Sequence, residues 1–244
     1  MLTSYVNILF YFAALIAISY LLDRMWMYSL GRIVYLIFAA PGIIVHESSH
    51  YLACKLTGAR VTKVVLMSKE GGSVTHGKPK GGIFGQALVS MAPFIGIPIT
   101  LMILGFLFDY LLGCSIIWNP SLSGNVGTVI LNTFEEAFNM IWDNIVRIRA
   151  YWFVLYLYLA ASLVIALAPS KQDFKNSIWG LLALLGGVLV WILLVERVFP
   201  DWGFPALDFV FDMTAWIIVV GLVISVFGLI LGIPFYLLKK SRES

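Results

Sequence analysis

Apolar runs long enough to cross a bilayer dominate the chain, and short polar breaks separate them. Six stand out: about Ser4 to Leu22, Ile33 to Leu56, Ile83 to Leu112, Ala150 to Leu167, Ile178 to Val195 and Thr214 to Leu238. A helix needs about 20 apolar residues to span hydrocarbon, so each run predicts one crossing. The third carries Pro93 and Pro98 and should kink there. The first has no basic residue before Arg24 and exceeds a signal-peptide core of about 7–15 residues, so it reads as a retained span.

Two connections have patterns of their own. Residues 58–80 are β-branched and alternating, with Glu70-Gly71-Gly72 as a turn signal. They predict a β-hairpin over about 59–77, lying at the membrane surface. Residues 113–149 open with Gly, Asn, Pro and Ser. They then place Phe134, Phe138, Ile141 and Trp142 at helical spacing. This predicts an amphipathic helix over about 126–147 on the interface. The fold class is therefore an all-α polytopic membrane protein: about six transmembrane helices, with a small hairpin after the second.

Composition agrees. The chain is 61% hydrophobic and 12% charged, with a mean hydropathy of +0.94, against about 25% charged in soluble domains. The 244 residues are nearly used up by the spans, so a single membrane-embedded domain with the lipid bilayer as solvent is expected. The net charge of +3 sits near span ends, which suits lipid headgroups and not nucleic acid. Cys54 and Cys114 lie in apolar stretches without paired spacing, so neither a disulfide framework nor a cysteine-held metal is expected. Six crossings put eleven basic residues on the side of the hairpin, the 168–177 turn and the C-terminus, among them Lys69, Lys239, Lys240 and Arg242. Five, among them Arg24 and Arg32, fall opposite. The positive-inside rule then puts both termini in the cytoplasm.

The chemistry lies in His46-Glu47-Ser48-Ser49-His50, about ten residues inside an apolar run. Histidines at i and i+4 share a helix face and can hold one Zn²⁺ per chain. Glu47 borders that face and can take a proton from water whose pKa zinc lowers from 15.7 to about 7. Ionisable groups at bilayer depth cost about 2.5 kcal/mol or more each and are rare without a role. A catalytic site wants a third ligand. Asp173, in the turn after Ala168-Pro169-Ser170, is at compatible depth, although it could instead cap the next helix. His76 is the runner-up and could touch substrate. Cys54 reads as a small buried residue and Glu70 as a turn residue.

These residues resemble the site-2 protease family of intramembrane zinc metalloproteases. The resemblance covers residues 41–177. It rests on the H-E-S-S-H helix followed by Tyr51-Leu52-Ala53 and Gly58, and on Gly71-Gly72-Ser73-Val74 in the hairpin. The segment Gly85 to Pro93 looks like the family's Ala-Gly-Pro segment, and Pro169 precedes Asp173 in a late turn. It implies a catalytic core over about 30–180, with Glu47 as general base and acid and with His46, His50 and Asp173 as zinc ligands. Pro93 and His76 would be substrate contacts, and the substrate a membrane protein's transmembrane segment. One departure matters: the family's late asparagine falls on Ala166, and Asp173 is flanked by Gln172 and Phe174, so that asparagine's substrate-holding role does not carry over.

Two other readings stand beside a protease. A non-proteolytic membrane protein could keep the zinc for a structural or regulatory role, but it would have no need of Glu47. A transporter would carry more paired charges within its spans. A homo-oligomer is left open.

Overall fold

The computed structural model describes residues 2–116, 126–170, 172–176 and 205–243, with isolated positions between 178 and 190. The chain is mostly helical, with one two-stranded antiparallel sheet after the second helix. Helix α1 (Leu2–Leu30) turns at Gly31, whose φ of 75° suits glycine, into α2 (Arg32–Leu56). The hairpin strands β1 (Val61–Val65) and β2 (Ser73–His76) follow. Helix α3 (Gly82–Met91) breaks before α4 (Pro93–Leu112), where Pro93 cannot continue the backbone ladder. Then come α5 (Val126–Trp142), which ends in a π turn (Asp143–Arg147), α6 (Trp152–Ile165) and α7 (Pro205–Glu243).

Helices α2 and α6 run parallel in one register, with Phe38 on Tyr158, Gly42 on Ser162 and His46 on Ala166. Helix α1 packs on α2 after the turn at Gly31, with Trp26 stacked on Phe38 and Tyr35 hydrogen-bonded to Asp23. Helix α4 packs on α2 with Gly96 against Ser49. Helix α7 is parallel to α1: Gly221 meets Leu15, Gly228 meets Leu22, Tyr236 meets Tyr28, and Lys239 donates to the Tyr28 carbonyl at 2.6 Å. The core between them holds Leu15, Leu101, Phe153, Tyr156, Leu163 and Ile224.

Three expectations change. Among the described residues two helices, Arg32–Leu56 and Gly82–Leu112, are long and apolar enough to cross a membrane, not six. Helix α6 has only 14 residues, and most of the expected fifth span lies outside the described residues. Second, six alternating crossings would make the first and last helices antiparallel. The parallel α1–α7 pair does not fit that arrangement.

Third, the hairpin does not sit at one end of α2. It folds back along that helix: Gly72 packs on Glu47 and Ile43, and Arg32 Nε donates to the Lys69 carbonyl at 3.0 Å. Lys69 therefore belongs with Arg32, and the C-terminal Lys239, Lys240 and Arg242 belong with the end of α1. Moving these four turns eleven-to-five into seven-to-nine, and the charge bias no longer orients the chain.

The expected amphipathic helix is present. Helix α5 buries Ala137 and Met140 and exposes Leu131, Phe134, Phe138 and Trp142. Asn144, fully buried, accepts from the Ser115 N–H and donates to the Ser115 and Met140 carbonyls, each at 2.7 Å. That ties the exit of α4 to the π turn.

Candidate metal centre

The centre forms where α2, the α3–α4 break and the end of α6 meet. Helix α2 approaches α6 closely because residue 42 is glycine. A Cβ there would overlap the Ser162 carbonyl and Ala166 Cβ, and the Gly42 N–H donates to Ser162 Oγ at 2.8 Å. One turn on, His46 Nδ1 donates to the Ala166 carbonyl at 2.7 Å. A further turn on, buried His50 donates from Nδ1 to the Val89 carbonyl at 2.8 Å. A carbonyl only accepts, so both Nδ1 atoms carry the proton and the neutral rings present bare Nε2 atoms.

Those two Nε2 atoms lie 3.2 Å apart. Asp173 Oδ2 lies 3.6 Å from that of His50 and 4.0 Å from that of His46. Lone pairs so close repel unless a cation lies between them. A point equidistant from the three atoms is about 2.1 Å from each, inside the range of about 2.0–2.2 Å for zinc bonded to nitrogen or carboxylate oxygen. The donor set of two imidazoles and one carboxylate also fits zinc. In a metal-free form, one proton on His50 Nε2, which faces His46 Nε2 and Asp173, relieves the same repulsion.

Asp173 is placed by its own helix start. Ser170 is the N-cap: its carbonyl accepts from the Phe174 N–H, and its Oγ accepts from the Asp173 N–H at 3.0 Å. The Ser170 hydroxyl also donates to Asp173 Oδ2, at 2.5 Å. Asp173 is thus the third residue after the cap and not the cap itself. Burial works against its ionisation, but in the metal-free form the protonated His50 imidazole and the Ser170 hydroxyl outweigh that and hold its carboxyl below the usual carboxylate range.

A cleft of about 310 Å³ opens over the cluster. Glu47 lines it beside the histidines, with Gly72 of the hairpin seated on its side chain. Opposite are Ser73, Val74 and His76 of β2, so the hairpin forms one wall. Gln172 donates to Asn176 at 3.0 Å on the Asp173 side.

The expected residues divide accordingly. His46, His50 and Asp173 come together, with Glu47 and His76 in the same cleft. Pro93 is buried at the break between α3 and α4, and is not among the residues that line the cleft. Buried Cys54 packs with Ala59 and Val89. Glu70 lies in the hairpin turn, its N–H bonded to Ser68 Oγ. Sequence reasoning passed over Ser170 and Gly42. The signal for the first was Ser-x-x-Asp, a capping pattern; for Gly42 it was a small residue one turn before the histidine pair.

In comparisons with known proteins, no family model, curated protein or solved structure matches this chain.

Proposed function

We propose that the chain is an intramembrane zinc metalloendopeptidase of site-2 protease type, cleaving membrane-spanning substrates. The observation that carries this reading is one cleft holding three convergent ligand atoms and an unshared carboxylate, Glu47, against a strand edge. The membrane setting is supported by the outward face of α3 and α4. Phe84, Leu88, Ile95, Ile99, Ile103, Phe106 and Tyr110 are all exposed there, a stripe that calls for lipid. In this reading α1, α2, α3–α4, α6 and α7 cross in alternating directions, which leaves the termini on opposite sides.

A zinc ion held by His46, His50 and Asp173 supplies Lewis acidity toward the scissile carbonyl and lowers the pKa of water. Glu47 accepts a proton from the attacking water as the new C–O bond forms. It returns that proton to the amine as the C–N bond breaks. A substrate helix must unwind first, which frees its amides in a medium without water. The Gly77 N–H bonds the Arg60 carbonyl, so by ladder alternation Val74 and His76 turn their backbone groups away from β1. Among the described residues that edge is unpaired; it borders the cleft and can pair with an extended substrate.

The test is Glu47→Gln, which keeps size and removes the proton carrier. Zinc content should stay at the wild-type level while cleavage of single-span substrates falls by about 10²–10⁴. Undiminished cleavage would remove Glu47 from the reaction. A zinc-loaded wild-type protein that cuts no such substrate would favour the structural or regulatory role.

A further inference from the structure

We propose that Pro93 and Pro169 are positioning residues for the metal centre: each deprives of a backbone donor the carbonyl that holds one of the two histidines. The proposal rests on His46, His50 and Asp173 being a metal site. In an uninterrupted helix the Val89 carbonyl would accept the N–H of residue 93. Proline has none, and its ring crowds that carbonyl. The Ala92 N–H reaches Val89 O only at 3.3 Å, and the His50 imidazole takes the place left open, at 2.8 Å.

The end of α6 repeats the device. The N–H groups of Leu167 and Ala168 turn back to Val164 and Ile165, each at 3.1 Å. The next donor in that series would serve Ala166, but residue 169 is proline. The Ala166 carbonyl instead accepts from His46, at 2.7 Å. Two histidines of one helix thus find carbonyls that lack the regular helix donor, on two different elements, each followed by a proline three or four residues later. Each bond fixes a ring plane and puts the proton on Nδ1, so that Nε2 is free for metal.

The experiment compares Pro93→Ala, Pro169→Ala and Pro98→Ala in the full chain, purified in detergent. Pro98 is a control, a proline inside α4 whose removal likewise restores a helix donor while both histidines keep their own carbonyls. Zinc affinity is read by competition with a chromophoric chelator, and stability by thermal unfolding of the metal-free protein. Pro93→Ala and Pro169→Ala should each weaken zinc binding by about 10–100-fold, as lost orienting partners do. Metal-free stability should hold or rise, because a backbone bond is added. Pro98→Ala should leave zinc affinity at the wild-type level. Wild-type affinity in the first two variants, an equal loss in Pro98→Ala, or stability falling in step with affinity would each overturn the proposal. A wild-type protein that binds no zinc would instead overturn the metal site itself.

Discussion

Gly42→Ala should damage the metal centre without touching a ligand. The added methyl would lie well inside contact distance of the Ser162 carbonyl, which is backbone and cannot rotate away. Restoring an ordinary contact of about 3.5 Å to that carbonyl oxygen requires α2 and α6 to separate by roughly 1.5 Å. The same separation acts one turn later, where His46 and the Ala166 carbonyl are 2.7 Å apart. It takes that pair to about 4.2 Å, past the limit of a hydrogen bond. It also carries the turn bearing Asp173 away from His50. Overpacking of this kind costs about 1–3 kcal/mol, and loss of an orienting partner costs about 10–100-fold in metal affinity. Zinc titration of the purified variant reads the second effect and thermal unfolding the first. A Gly42→Ala protein with wild-type zinc affinity would refute the proposed coupling of helix approach to ligand geometry.

Other expectations follow from neighbouring contacts. Gly72→Ala places a methyl on Glu47 Cγ and Cδ; cleavage should fall by on the order of 10²-fold, as for a catalytic group displaced by about 1 Å, with zinc content unchanged. Ser170→Gly keeps a tolerated N-cap residue but removes the hydroxyl on Asp173 Oδ2. Chelator competition should show weaker zinc binding, with Ser170→Thr restoring it. For topology, Thr3→Cys and Ser244→Cys in a Cys54→Ala, Cys114→Ala background should label from opposite sides of the membrane; labelling from one side would restore an even number of crossings.

Much of the site was legible because it is local. His46, Glu47 and His50 are fixed relative to one another by helical spacing alone, and the depth of Asp173 followed from counting elements. The hairpin was legible from its alternation and glycines. What the sequence hid was set by long-range packing. The place of the hairpin depends on Gly72 fitting over Glu47 and on Arg32 reaching Lys69, contacts between residues 25 to 37 positions apart. The direction of the last helix depends on glycines at 221 and 228 receiving leucines from α1. Hydropathy reports that such a segment is apolar, not which way it runs. The role of Pro93 was hidden for the same reason: a proline's effect on its own helix can be read locally, but the imidazole that takes the freed carbonyl comes from another helix.

Zinc content decides whether His46, His50 and Asp173 form a metal centre. The full-length protein, purified without chelator, should carry close to one zinc per chain by elemental analysis. A His46→Ala, His50→Ala double variant, folded as judged by its helical circular dichroism, should carry almost none. Full zinc retention in that variant, or a wild-type chain that stays metal-free after incubation with zinc, would contradict the metal centre and the peptidase built on it.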